Sequence, residues 1–298
     1  MPRWQGKSKG NKLGYRIFVF VCRRLGVLPA YFLLRFVAFY FFLFSVSSSR
    51  QIYNYFHQRL GYGRLKSLLK LYSNYYVFGQ TLLDKVIVMA GIENKFTYNF
   101  DGEEYLHKIV EQGRGGILIS GHVGNWEAAG HLLKRLNTRV NVVMYDGEHE
   151  KIKDYLEGVT GGHNFRVIVV KEDLAHVYAI GEALQNNELV CLHADRFTEG
   201  SKTVVRPFLG APAHFPMGPF ILASTFKVPV SIVFAFKESA VHYHFYGSPL
   251  ITFQNQPDRA VAIDDLINIF VQNLEQMIRK YPEQWFNYYN FWEEVSTK

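Results

Sequence analysis

The sequence contains little cysteine, and its first quarter contains no acidic residue. Its two cysteines, Cys22 and Cys191, are far apart in apolar surroundings, which excludes a disulfide framework and a paired-cysteine metal site and favours a reducing compartment. Residues 1–83 contain thirteen Lys or Arg and no Asp or Glu, whereas the whole chain of 298 residues has 33 basic and 26 acidic residues. The first part of the chain is therefore cationic, and the remainder is net acidic.

Several motifs of well-known enzyme classes are also missing. The sequence has no G-x-S-x-G nucleophile elbow, no phosphate-binding P-loop and no G-x-G-x-x-G turn, so covalent serine hydrolysis and nucleotide-dependent chemistry lack their usual parts. Its eleven histidines include no H-E-x-x-H spacing, and His242 and His244 alternate along a predicted strand, so we predict no metal site. Direct group transfer between two substrates is the chemistry that remains.

One long hydrophobic run, residues 27–46, contains a single charge and is flanked by arginines on both sides. About 20 apolar residues suffice to cross a bilayer as a helix. The run ends in serines and Arg50 rather than at a small-residue cleavage site, so we predict a retained anchor, with spanning and lying flat both open. Basic flanks on an aromatic segment indicate anionic lipid as the partner and argue against nucleic acid. The basic residues ahead of the run favour a cytoplasmic N-terminus.

The chain divides into three predicted regions: a basic arm and anchor helix at 1–50, amphipathic membrane-proximal helices at 51–95, and an α/β domain at 96–298. In the last region short apolar runs alternate with helical patterns, which favours a mostly parallel central sheet flanked by helices. Strands are predicted at residues 115–120, 140–144, 167–170, 189–193, 230–236 and 242–246. Helices are predicted at residues 126–136, 152–159, 174–185, 218–226 and 263–281.

The first candidate site follows the strand at 115–120, in the stretch Ser-Gly-His122-Val-Gly-Asn-Trp-Glu127. If His122 lies in a glycine-bracketed turn and Glu127 in the first turn of the next helix, the carboxylate can reach the imidazole and orient it as a general base. Backbone donors at Gly124, Asn125 and Trp126 would bind the oxyanion of a substrate. The alternative is a histidine that ends a strand beside a solvated acid at a helix N-terminus.

A second polar cluster follows the strand at 189–193 and contains Asp195, Arg196 and Lys202. Polar residues at the carboxyl end of a strand in a parallel sheet are typical of a ligand pocket. We predict that Arg196 and Lys202 bind a phosphate or carboxylate of a substrate and that Asp195 positions Arg196 or the acceptor. A surface turn with incidental ion pairs is the alternative.

These blocks resemble the late, lauroyl/myristoyl-type lipid A biosynthesis acyltransferases of the lysophospholipid acyltransferase-like superfamily. The resemblance covers most of the chain: the hydrophobic anchor, the H-x4-E block and the strand-end acid come in the order that the family shows. Further blocks follow at residues 207–223, at Val-Pro-Val 228–230 and at Pro-Glu-Gln-Trp 282–285.

The resemblance implies a glycerol-phosphate-acyltransferase-type fold, with His122 as general base and Glu127 as its partner. It also implies no cofactor beyond an acyl co-substrate, carried on acyl carrier protein or coenzyme A, and a glycolipid hydroxyl as acceptor on the cytoplasmic side of the inner membrane. Acyl carrier proteins are acidic, which agrees with the cationic N-terminal part.

Two departures from the family pattern keep other acceptors open. Many members have a His-Arg-Arg run where this chain reads Tyr289-Asn290-Phe291. Many also have an arginine after the strand predicted here at 140–144, and residues 144–147 lack it. An amino-acid lipid or an aryl-polyene-type pigment intermediate would need fewer phosphate ligands. A thioesterase and a non-catalytic lipid-binding protein are the alternatives from other functional classes.

Overall fold

A computed structural model describes residues 12–89, 91–92, 94–125, 133–145, 166–170, 174–198, 200–253 and 258–292 of the chain. The N-terminal helices are α1 (Lys12–Leu25), α2 (Val27–Phe44), α3 (Val46–Asn54), which continues into a π-helical turn, and α4 (Arg64–Met89). The predicted anchor is therefore α2, and the predicted amphipathic region forms α3 and α4.

The rest of the chain alternates strands and helices. The strands are β1 (Thr97–Asp101), β2 (Gly116–Ser120), β3 (Val140–Tyr145), β4 (Arg166–Val170), β5 (Leu189–His193), β6 (Thr203–Phe208), β7 (Ala211–Pro216), β8 (Val230–Ser239) and β9 (His242–Gly247). The helices are α5 (Glu103–Glu111), α6 (Ala175–Gln185), α7 (Gly218–Phe226) and α8 (Arg259–Lys280). The N-cap Asp258 of α8 accepts a hydrogen bond from the Ala260 N–H, and Arg279 and Lys280 in its last turn complement the helix dipole.

The main sheet has the strand order β1-β9-β8-β2-β5-β3-β4, and β6 and β7 form a separate antiparallel hairpin. In the main sheet β2 pairs in parallel with β5 and β8, and β3 pairs in parallel with β4 and β5. β1 and β9 are parallel to each other and antiparallel to β8. The mostly parallel sheet flanked by helices is confirmed. Its central strand β2 is buried at every residue, as expected for a strand covered on both faces.

The predicted strands agree with β2, β3, β4, β5, β8 and β9 to within three residues at each end. Three elements were missed: the edge strand β1, helix α5, and the hairpin β6–β7. That hairpin contains Pro207, Pro212 and Pro216, which argue against strands in a sequence pattern but are tolerated where one pair of strands stands alone. The predicted helix at 152–159 and residues 126–132 of the helix at 126–136 lie outside the described residues, and Leu133–Leu136 forms a 3-10 turn.

Helix α2 packs along α4 with one face. The buried residues on that face are Val27, Ala30, Tyr31, Leu34 and Ala38. A Cβ added at Gly79 of α4 would lie 2.7 Å from a methyl group of Leu34, so the glycine allows the two helices to approach closely. Helix α4 in turn contacts residues 281–292, which we call the C-terminal segment. The side-chain amide of Asn74 donates to the carbonyls of Glu283 and Trp285 in this segment. The division of the chain at residues 50 and 95 stays a prediction.

Candidate active site

The carboxyl ends of β2 and β5 lie side by side at one edge of the sheet. Ser120, the last residue of β2, is opposite His193, the last residue of β5, and the Ala194 N–H donates to the Ser120 carbonyl over 2.9 Å. His122 and Asp195 each come two residues after their strand. The two sequence clusters that we singled out therefore meet in one place.

Asp195 binds His122 at two points. Its Oδ1 lies 2.7 Å from His122 Nδ1, and its Oδ2 accepts a hydrogen bond of 2.9 Å from the His122 backbone N–H. The Asp195 side chain is 1% exposed and that of His122 is 17% exposed, so the acid is enclosed and the imidazole retains access. A Cβ at Gly121 would lie 3.3 Å from Asp195 Cγ, so a small residue between Ser120 and His122 keeps the carboxylate close to the loop.

The carboxylate determines which imidazole nitrogen can act as a base. Because a carboxylate only accepts hydrogen bonds, Nδ1 of neutral His122 carries the hydrogen and Nε2 carries the lone pair. Burial by itself would raise the pKa of Asp195, but the charge and hydrogen bond of His122, with the charges of Arg196 and His193, bring it well below its usual range. Asp195 is therefore ionised at neutral pH and stabilises the imidazolium that forms when His122 takes a proton.

The loop after His122 is held on strand β8. Gly124 has a φ of +60°, and a Cβ there would overlap the carbonyl oxygen of Ala235, so only glycine fits. Its N–H donates to the Gln284 carbonyl over 2.8 Å, and the Asn125 N–H donates to the Ala235 carbonyl over 2.8 Å. These two amides, which we predicted as oxyanion donors, are thus used inside the protein. Their contact with substrate stays a prediction that this geometry does not favour.

The Asn125 side chain points into the protein. It is buried, and its amide nitrogen lies 3.1 Å from the Tyr243 hydroxyl and 3.4 Å from the Thr81 carbonyl. Asn125 was predicted to bind substrate through its backbone; the structure shows that its side chain joins the active-site loop to β9 and α4.

Arg196 follows Asp195 and contacts the C-terminal segment, where its Nη2 donates to the Phe286 carbonyl over 3.0 Å. The Phe286 ring packs against Phe78 of α4, with ring centroids 4.9 Å apart. Lys202 is exposed at the start of the β6–β7 hairpin, and among the described contacts none joins it to Arg196. Whether the two cations share a ligand stays a prediction.

Glu127 and Trp126 lie outside the described residues, so the predicted contact between Glu127 and His122 stays a prediction. Asp195 lies at Nδ1 of the His122 ring and can orient the imidazole, the role that the sequence predicted for Glu127.

A comparison with protein families matches residues 73–293 to the bacterial lipid A biosynthesis acyltransferases. The chain belongs to that family. The match includes the His122 loop, the Asp195 loop and the C-terminal segment, and it confirms the resemblance stated from the sequence. That family is one of acyltransferases.

Individual relatives match over shorter stretches. The phosphatidylinositol mannoside acyltransferases of two Mycobacterium tuberculosis strains are each 30% identical over 127 residues, which is 41% of this chain and 39% of theirs. The alignment thus spans about two fifths of the length of these relatives. The crystal structure of the 1-acyl-sn-glycerophosphate acyltransferase PlsC from Thermotoga maritima is 12% identical, with a TM-score of 0.40, over 86% of this chain and 97% of that one.

Nothing in the sequence indicated that three further residues lie beside the Asp195–His122 pair. The His193 ring packs on His122 with centroids 4.4 Å apart, and Gln284 and Trp285 hold the loop through the Gly124 hydrogen bond and a backbone bridge to Val123. His193 precedes Asp195 by two residues, but the sequence assigned it no role. The Pro-Glu-Gln-Trp block was recognised as a motif, but nothing local in it shows which loop it supports.

Proposed function

We propose that this acyltransferase moves a fatty acyl group from a thioester donor to a hydroxyl group of a membrane glycolipid, with His122 as general base. The observation that carries the proposal is the pair of hydrogen bonds between Asp195 and His122, at the sheet edge where ligands of parallel α/β proteins bind. Asp195 orients the ring, and the 17% exposed His122 presents Nε2 to the substrate.

The proposed reaction has two steps. His122 Nε2 takes the proton of the acceptor hydroxyl while the hydroxyl oxygen attacks the thioester carbonyl carbon, which becomes a tetrahedral oxyanion. The carbon–sulfur bond then breaks, and the thiolate leaves with the proton from the imidazolium. An ester and a free thiol result, and His122 returns to its starting state. Glu127 stays the predicted partner of His122.

For the acceptor we propose a glycolipid with few phosphates. Among the described residues Arg196 is the Arg or Lys whose charge acts on Asp195, and Tyr289 and Asn290 stand where many lipid A enzymes have cations. One guanidinium suits a single phosphodiester better than a doubly phosphorylated sugar. The partial match to phosphatidylinositol mannoside acyltransferases supports this choice, with lipid A precursors, amino-acid lipids and aryl-polyene-type intermediates as competitors in the test.

We propose that α2 lies in the surface of the cytoplasmic membrane rather than across it. Within the described part of the chain α2 is the one helix long and apolar enough to span a bilayer. One of its faces is buried against α4 along most of its length, and α4 carries Arg64, Lys66 and Lys70 in its first two turns. A helix bound along such a partner cannot enter the bilayer core alone, whereas its aromatic outer face suits the interface.

The donor is proposed to be acyl carrier protein, with acyl-coenzyme A as the alternative. The thirteen Lys and Arg of residues 1–83 present a positive potential both to an acidic carrier protein and to anionic lipid. Association with the carrier protein should then weaken as salt rises, whereas use of a coenzyme A donor should depend less on salt.

The test is an assay of purified protein with palmitoyl-acyl carrier protein or palmitoyl-coenzyme A and vesicles that contain one acceptor at a time. Acceptors are a lipid A precursor, a phosphatidylinositol mannoside, a lyso amino-acid lipid, an aryl-polyene-type intermediate and none. We expect free thiol and acylated glycolipid in equal amounts, with the phosphatidylinositol mannoside as the best substrate. Free fatty acid without acylated lipid would indicate a thioesterase, and no turnover with any pair would contradict the proposal.

A further inference from the structure

A buried polar cluster joins the lipid-facing helix to the sheet. Asp84 of α4, Lys237 of β8, Tyr243 of β9 and Tyr31 of α2 are all nearly inaccessible, with Asp84 at 0% and Lys237 at 4% side-chain exposure. Asp84 accepts hydrogen bonds from the Tyr31 and Tyr243 hydroxyls, and Lys237 Nζ lies 2.6 Å from its Oδ2. We name these four residues the Asp84 cluster.

The cluster satisfies its own charges. Lys237 Nζ also donates to the Tyr31 hydroxyl over 2.9 Å and to the Ala240 carbonyl over 2.7 Å, so all three of its hydrogens have acceptors. A buried charge persists only when it is paired and hydrogen-bonded in this way. Such a cluster tolerates little displacement, because every member would lose a partner at once.

Two paths lead from the cluster to the active-site loop. Along the first, the Tyr243 hydroxyl, which donates to Asp84, accepts a hydrogen bond of 3.1 Å from the Asn125 side chain. Along the second, the backbone of Lys237 pairs with the Gln284 side chain over 2.9 Å and 2.7 Å, and the Gln284 carbonyl accepts the Gly124 N–H. Both paths end within three residues of His122.

We infer that Asp84, through Tyr243, is a positioning residue that holds the His122 loop in its catalytic geometry, and that Tyr31 makes this position depend on the docking of α2. The inference rests on the proposed function, in which His122 is the base. A base must be held within a fraction of an ångström of its working position, and a displacement of about 1 Å costs about 100-fold in rate. Loss of the Tyr243 hydroxyl removes the link to Asn125 without adding bulk.

The experiment compares Tyr243→Phe and Tyr31→Phe with Tyr72→Phe in the full chain, with palmitoyl-acyl carrier protein and phosphatidylinositol mannoside vesicles. Tyr72 is the matched control, because its hydroxyl also joins α4 to α2, at the Arg35 carbonyl, but has no described path to the loop. We expect Tyr243→Phe to lower kcat about tenfold with KM changed less than twofold, Tyr31→Phe to lower it about threefold, and Tyr72→Phe to have no effect. In the double variant of Tyr31→Phe and Tyr243→Phe, kcat should fall by less than the product of the two single fold-losses, because both hydroxyls act through Asp84.

A second readout does not require turnover. Diethyl pyrocarbonate acylates imidazoles. Mass spectrometry gives the ratio of the modification rate at His122 to that at exposed His107. We expect Tyr243→Phe and not Tyr72→Phe to change that ratio by about threefold or more. If the wild type transfers no acyl group but the ratio shifts, the proposed function fails and the positioning role remains. Equal kcat losses in all three variants, or a lower melting temperature with unchanged kcat and ratio, would reduce the cluster to a structural element.

Discussion

The sheet that carries His122 and the layer formed by α2 and α4 both bury apolar residues, but they differ in what they expose. The central strand β2 of the sheet is buried throughout. In the helical layer Asp84 and Asn74 are fully buried, whereas Phe36 is 63% exposed and Phe44 is 67% exposed. The hydrophobic effect accounts for the first arrangement, because burial removes apolar side chains from water. The second places aromatic groups outward, as expected for a surface that faces lipid.

In the proposed function this contrast separates the two tasks of an enzyme that works at a membrane. The sheet edge would supply a base whose geometry is fixed by a buried carboxylate, and the helices would supply the surface that meets the lipid. The Asp84 cluster and the C-terminal segment join the two regions. They hold the His122 loop in a fixed position relative to α2 and α4. Each of the following predictions tests one side of this contrast or the difference between them.

The largest effect is expected at the base. His122→Gln removes the nitrogen that takes the proton, so kcat should fall by about 10³-fold or more while the melting temperature changes little. The measurement is thiol release with the donor and acceptor pair that proves best. His107→Gln, a change at an exposed histidine of α5, is the control. Activity above about half of wild type in His122→Gln would exclude the imidazole from the chemistry.

Asp195→Asn tests which acid orients the base. The amide keeps the size of the side chain but removes its charge, and its NH2 group can face Nδ1 and favour the wrong tautomer, so kcat should fall about 10²- to 10⁴-fold. Glu127→Gln, assayed in parallel, tests the partner that the sequence predicted. A loss in Glu127→Gln alone would assign the orienting role to Glu127 and leave Asp195 a support of the loop.

Gly124→Ala tests the contact of the loop with β8. The added methyl group meets the Ala235 carbonyl and demands a positive φ, so we expect a loss of about 2–4 kcal/mol in unfolding free energy, and about a 100-fold loss in kcat if the loop shifts instead. Gly91→Ala is the matched control, because Gly91 has the same φ of +60° with open space around it. Equal effects of the two changes would show that backbone strain alone matters.

The sequence was sufficient to predict most of the sheet and both active-site loops, because buried parallel strands are continuous apolar runs that end in polar residues. It was not sufficient to predict that Asp195 binds His122. Glu127 is near in sequence, whereas Asp195 comes close only because β5 lies beside β2, and strand order is not a local property. The Asp84 cluster was missed for a related reason, since its members come from four elements and Lys237 looks like any basic residue at a strand end.

On the helical side, a double change of Phe32 and Phe36 to Ser should weaken binding to anionic vesicles about 10- to 100-fold, because each ring would otherwise contribute apolar area to the interface. The control is the double change of Leu174 and Tyr178 to Ser, at two exposed apolar residues with the same spacing next to and within α6. Vesicle co-sedimentation measures both. Equal losses would mean that exposed apolar area in general, and not the face of α2, holds the protein on lipid.

The smallest effect is expected from a change of pH, which tests the Asp195 carboxylate at the sheet edge. Its pKa in the folded protein is below its usual value, so its contribution to stability is complete above about pH 4 and is lost as pH falls further towards the folded value. Urea unfolding between pH 5 and pH 3 should therefore show a steeper loss of stability in the wild type than in Asp195→Asn. Other carboxylates titrate in both proteins and cancel in the difference. Parallel curves over the whole range would mean that the carboxylate gains nothing from His122 on folding, and the two hydrogen bonds would then have to be explained by packing of the loop alone.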